Sequence, residues 1–259
     1  MQTGIVEYPW GIMQMKRWIA VLAMVGFCML PPTSQAETYK EITVSNGGTI
    51  TGRVTLAGRD YAPKKYTVVK DSAVCGEGTR EIDYVRVVNG ALLDVVVYLD
   101  EVKSGKPFPA EVGDGKILQK GCEFTPFLGV MRNDAEFAAI NQDPVLHNIH
   151  TYEIIGRIKK TVFNVSQPDQ NTITKRVNLK KGVAMKVECD AHDFMHAYAF
   201  TANNPYFAVV KEDGGYRIDN VPAGKYKIKA WHGFLRDQKS RVEIAAGGTV
   251  TVDFAFKGR

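Results

Sequence analysis

Apolar and polar residues alternate one-for-one through most of this chain, in short runs broken by glycine and proline turns. A period of two sends successive side chains to opposite faces of a strand, and no stretch sustains the spacing of a long helix. The most informative run is Gly182-Val183-Ala184-Met185-Lys186-Val187-Glu188, which leads into Cys189. Val183, Met185, Val187 and Cys189 share one strand face. Cys189 is the last inward residue before the chain turns, and His192 and Met195 follow on the loop. A thiol, an imidazole and a thioether so close together are soft or borderline metal ligands. The same alternation recurs around 48–56, 93–99, 226–230 and 250–256. Many short strands at this spacing argue for an all-β chain built of β-sandwiches.

At 259 residues and 45% hydrophobic composition the chain can bury a core in one or two domains. Lys16-Arg17 precede an uncharged apolar run from Trp18 to Leu30, and Ser34-Gln35-Ala36 place small residues where a signal peptidase reads. Residues 1–36 therefore read as an N-terminal extension and signal peptide, with Met13 or Met15 as the candidate start. No lipid anchor is expected, since Phe27 before Cys28 fits that cleavage poorly. A periplasmic or secreted protein with no stable membrane span after cleavage is the expectation. Cleavage after Ala36 lowers the formal charge only from +5 to +4. The lysines are spread rather than gathered into a stripe, which argues against nucleic acid as a partner.

Cleavage leaves Cys75, Cys122 and Cys189. In an oxidising compartment two of three would pair, and the odd one is the cysteine beside His192 and Met195. Cys75–Cys122 is then the candidate disulfide; three free thiols is the alternative. A further ligand should come from upstream. His147 follows the Asp143-Pro144 turn and opens a strand, so it can sit at the same end of a sandwich as the Cys189 loop. Strand parity sends His150 to the opposite face. His196 adjoins Met195 at the rim, and His232 reads as structural.

Asn141-Gln142-Asp143-Pro144-Val145-Leu146-His147-Asn148 resembles the first-histidine motif of the cupredoxins, the blue copper proteins. Cys189-Asp190-Ala191-His192-Asp193-Phe194-Met195 resembles their ligand loop, with spacing similar to amicyanin and shorter than in plastocyanin. Phe124-Thr125-Pro126 and Gly129-Val130 match the family's early strand. The resemblance covers residues 115–204 and implies a Greek-key β-sandwich with one type 1 copper. His147, Cys189 and His192 would be equatorial ligands, Met195 the axial one, and Asn148 would hydrogen-bond across to fix the loop. Asp190 and Asp193 depart from related loops and would add negative charge near the metal, lowering its potential. Residues 205–259, with Asp213-Gly214-Gly215-Tyr216-Arg217-Ile218 and Val221-Pro222-Ala223-Gly224, resemble a second, smaller transthyretin-like (carboxypeptidase regulatory-like) sandwich. Residues 37–114 supply N-terminal strands that belong either to that sandwich, with the copper domain inserted, or to the cupredoxin.

The resemblance implies an exported protein that carries single electrons between redox partners such as a cytochrome or a dehydrogenase. Phe194, Phe127 and Leu146 would form its docking patch. The alternative is a copper carrier, or a structural subunit of an extracytoplasmic complex, without electron transfer. No enzyme is expected. A copper oxidase or nitrite reductase needs paired histidines such as His-X-His or His-Cys-His, and none occurs among the five histidines.

Overall fold

The computed structural model describes residues 39–259, together with Met1 and Gly4. The expected signal segment around Lys16–Ala36 lies outside the described residues. Residues Glu37–Arg259 form one unit. The regular secondary structure of the described residues is almost entirely strand, and their one helical element is the four-residue turn Ser72–Cys75. No described helix is long and apolar enough to cross a membrane.

The strands sort into two blocks by pairing. In the first, Gly48–Ala57 pairs antiparallel with Gly215–Val221 and parallel with Thr249–Thr251 and Phe254–Lys257. Val95–Asp100 lies between Phe207–Val209 and Gly224–His232, with Gln238–Ile244 beyond. Gly48–Ala57 and Val95–Asp100 thus pair with C-terminal strands, whereas Lys64–Thr67 and Thr79–Ile82 pair with each other. The reason is visible in Val95–Asp100, which is buried on both faces up to Leu99. Val95, Val97 and Leu99 enter one apolar core with Ile50, Ile218 and Phe256. Val96 and Tyr98 enter another with Tyr198, Phe200 and Trp231. A strand apolar on both sides must be covered on both sides.

The second block comprises the strands between residues 115 and 202. One sheet runs Phe124–Thr125, Gly115–Gln119, Ala135–Asn141, Thr172–Val177. The other runs Leu128–Arg132, His196–Ala202, Ala184–Glu188, His147–Ile155, Ile158–Gln167. Between them lie Ile117, Phe137, Ile149, Val177, Met185 and Val187. Each such side chain contributes about 1.5–3 kcal/mol on burial. The hairpin of His147–Ile155 with Ile158–Gln167 turns at Gly156, which has φ +61°. The two blocks meet where Tyr198 and Phe200 pack against Trp231, at ring-centroid distances of 5.8 and 6.1 Å.

Candidate metal centre

His147 opens its strand and Cys189 follows the end of Ala184–Glu188. These strands run antiparallel with His150 opposite Glu188, so both residues arrive at the same end of the sandwich. The alternation holds along the first strand: His147 and Ile149 are buried, Asn148 and His150 only half-buried. The loop 189–195 folds back on itself. Met195 N–H donates to the His192 carbonyl at 3.0 Å, and Cys189 N–H to the Met195 carbonyl at 3.4 Å. Asn148 ties the loop to the neighbouring strand: its backbone N–H points at Cys189 Sγ (3.3 Å), and its Oδ1 accepts from Asp190 N–H (3.1 Å).

His147, Cys189 and His192 are brought together in a closed pocket, exposed by 0%, 3% and 2%. The two Nδ1 atoms face each other at 3.2 Å, and Cys189 Sγ lies 4.0 Å from His147 Nδ1 and 3.8 Å from His192 Nδ1. Met195 is buried in the same apolar cluster as Cys189. Cys75 and Cys122 are joined by a disulfide, with Cα atoms 5.0 Å apart, and Cys189 is free.

Two carboxylates hold the outer nitrogens. His147 Nε2 lies 2.8 Å from Asp143 Oδ2, and His192 Nε2 lies 3.0 Å from Asp71 Oδ2. Asp143 also accepts from the backbone N–H groups of Gly121 (2.7 Å) and Cys122 (2.8 Å). Burial alone would raise its pKa, but the bonds from Cys122, His147 and Gly121 hold it below the usual carboxylate range. Burial pushes the Cys189 thiol up, against the pull of the Asn148, Ala191 and His192 N–H groups. Burial lowers His192 despite its bond to Asp71.

This donor set fits a metal ion. With each Nε2–H given to a carboxylate, each Nδ1 presents a lone pair. Two lone pairs at 3.2 Å cannot hydrogen-bond to one another; a cation between them satisfies both. The same cation would stabilise the thiolate that burial disfavours. The nearby groups that include Cys75 or Cys122 sulfur are not free to ligate in the disulfide form.

The loop acids Asp190 and Asp193 are not the acids bonded to the two facing imidazoles. Asp190 turns to His150 Nδ1 (3.0 Å) and Asn164 Nδ2 (3.0 Å), and Asp193 is exposed. The acids on the imidazoles are Asp143, four residues before His147, and Asp71, far away in sequence. Asp143 stood inside the histidine motif and was open to recognition; nothing local to Asp71 marks it. The expected docking patch is also altered: Leu146 is 45% exposed, but Phe194 is buried, packing beside His192.

Residues 178–252 match a family profile described as polysaccharide lyase family 4, domain II, an fn3-type domain. The match runs across both strand blocks and covers less than half of the chain. A search of curated proteins found no match. Among solved structures, a purple cupredoxin from Nitrosopumilus maritimus is 16% identical, with TM-score 0.29, over 34% of this chain and 100% of that one. Amicyanin from Paracoccus versutus is 14% identical, with TM-score 0.29, over 42% and 99%. A copper-containing nitrite reductase from Thermus scotoductus is 12% identical, with TM-score 0.28, over 40% and 24%. Likenesses this weak carry no weight for function, which rests on the residues themselves.

Proposed function

We propose that the chain binds one copper ion in a type 1 site and carries single electrons between redox partners outside the cytoplasm. The observation that supports this most is the pair of imidazole Nδ1 atoms facing each other at 3.2 Å beside the free Cys189. His147, Cys189 and His192 would hold the metal, with Met195 as a weaker further ligand. Copper held by a thiolate, two imidazoles and a weak thioether exchanges one electron with little rearrangement.

The protein's own contribution is rigidity and dryness. Asp143 and Asp71 fix the rings, the Asn148 N–H steadies the sulfur, and the apolar cluster around Cys189 and Met195 excludes water. Ligands held this way need not reorganise when the charge of the site changes. A cytochrome or dehydrogenase would dock at the pocket end, where Leu146 stands exposed beside His147. The block that pairs N- and C-terminal strands is taken as the transthyretin-like sandwich, orienting the copper block within a larger assembly.

A second reading has one observation in its favour. Both imidazoles and the thiol are closed off from solvent, which suits a permanently held metal in a structural subunit more than one handed on by a carrier. The copper-loaded protein decides between them. The electron-transfer reading expects an intense thiolate-to-copper visible band and a narrow hyperfine splitting in the spin-resonance spectrum, both abolished by Cys189→Ser. A colourless protein with an ordinary tetragonal copper signal would favour the carrier. A blue protein with no reversible voltammetric wave would favour the structural subunit.

A further inference from the structure

The disulfide stands closer to the pocket than a remote staple would. The sulfurs of Cys75 and Cys122 and a ring nitrogen of His192 all lie within 4.8 Å of one another. Each half-cystine is also tied locally to one of the two carboxylates on the imidazoles. On one side, Cys122 and Gly121 give their N–H groups to Asp143, which holds His147. On the other, Asp71 precedes the helical turn Ser72–Cys75, and its carbonyl accepts from Val74 N–H (2.9 Å) and Cys75 N–H (2.8 Å). The Asp71 carboxylate reaches His192.

Two further features hold this arm in place. Arg80, in the strand Thr79–Ile82, donates from Nη1 to the carbonyls of Gly121 (2.9 Å) and Cys122 (2.8 Å). Asp71 itself sits at φ 53°, a left-handed conformation that residues with a Cβ rarely adopt. Its side chain is 35% exposed, whereas that of His192 is 1% exposed. A carboxylate with water within reach meets instead the outer nitrogen of a buried ring.

We propose that Asp71 is the positioning residue for His192, accepting its Nε2–H so that the Nδ1 lone pair is aimed at His147 and Cys189. The Cys75–Cys122 bond is what keeps the Asp71 arm and the Asp143 corner in fixed relation. The ring orientation part stands on the hydrogen bonds alone; its consequence for copper rests on the metal-site reading above.

Two measurements separate these layers. In the metal-free protein, nitrogen NMR of His192 should show the tautomer protonated at Nε2. Asp71→Ala should give a mixture of tautomers. Asp71→Asn, which keeps an acceptor oxygen and is the variant of choice if Asp71→Ala fails to fold, should largely retain the wild-type form. The Cys75→Ala/Cys122→Ala double variant should move in the same direction as Asp71→Ala. Copper(II) affinity, measured against a competing chelator, should fall by about 10–100-fold in Asp71→Ala and by less in Asp71→Asn. An unchanged His192 tautomer in Asp71→Ala overturns the positioning role. Unchanged copper affinity in a variant whose tautomer has shifted overturns its consequence for the metal. A wild-type protein that binds no copper, with the tautomer shift still present, overturns the copper reading and leaves the positioning role standing.

Discussion

Both strand blocks bury histidine to the same degree, and only one of them makes a site. In the block of Gly48–Ala57 and Gly224–His232, His232 is 3% exposed. Its Nδ1 accepts from the N–H groups of Phe234 and Leu235, both at 3.1 Å, so it closes the turn after its strand. In the other block, His147 and His192 are buried as deeply, but their bonds run the other way: the outer nitrogens donate to carboxylates and the inner ones are left as lone pairs that face each other. Depth of burial does not separate the two kinds of histidine. What separates them is which nitrogen the surrounding hydrogen bonds leave free, and whether several such free donors converge.

The largest expected effect tests the pocket side of this contrast. The disulfide spans 47 residues and on the chain-entropy model contributes about 4 kcal/mol. Denaturant unfolding of Cys75→Ala/Cys122→Ala should show a loss of that order. A loss under about 1 kcal/mol would mean that the staple does not anchor the pocket block.

The next effect belongs to His232. Burial lowers its pKa from 6.5 to about 4. The folded protein keeps it neutral while the unfolded chain takes up a proton below pH 6.5. Stability present above pH 6.5 should therefore decline as the pH falls and be fully lost below about 4, a contribution of about 3 kcal/mol. His232→Asn keeps an acceptor near the Nδ1 position and cannot titrate. The wild-type minus variant difference in unfolding free energy should grow more negative from pH 7 to pH 4; a flat difference would show that folding does not hold His232 neutral.

How much of this was legible in the residues follows from burial. Strands with one clean apolar face, such as Ala184–Glu188 and Gly48–Ala57, announce themselves by alternation. Ile158–Gln167 does not. It is the edge strand of its sheet, mostly exposed, and begins Ile158-Lys159-Lys160, polar enough to discourage edge pairing and too polar to show a period. His147, Cys189, His192 and Met195 were legible because each sits in a short motif at a strand end. Asp71 was not, because its bond to His192 is made by tertiary folding across 121 positions. Asp190 and Asp193 stand out in sequence because they flank the ligand loop, yet Asp190 bonds His150 and Asn164 rather than a facing imidazole.

A third effect probes a buried acid of the pocket block, at the far end of the strand that His147 opens. Glu153 is 5% exposed, and its Oε1 accepts from the N–H groups of Lys180 (3.1 Å), Lys181 (2.8 Å) and Gly182 (2.7 Å). Burial raises its pKa but these bonds outweigh it, so the folded-state value lies below the usual one. Its contribution is present above the unfolded pKa and is lost as pH falls through the folded one. Glu153→Gln should cost about 2 kcal/mol in unfolding at pH 7 and leave the copper spectrum unchanged. An altered spectrum would show that the two ends of the block are coupled.

The smallest effect concerns the loop acids. Asp190 is half exposed and pairs with His150. Asp190→Asn should cost less than about 1 kcal/mol and leave the copper potential close to wild type in voltammetry, in contrast to Asp71→Ala. A large shift in potential would return the loop acids to the role that their position in sequence suggests.

Three buried donors, His147, Cys189 and His192, are proposed to converge on one cation. Anomalous diffraction from crystals of the copper-loaded protein tests this convergence most directly. The expected result is a single copper peak between His147 Nδ1, His192 Nδ1 and Cys189 Sγ, with Asp143 and Asp71 still bonded to the outer nitrogens. A copper peak elsewhere, or an empty pocket with the two rings turned to hydrogen-bond each other, would contradict it.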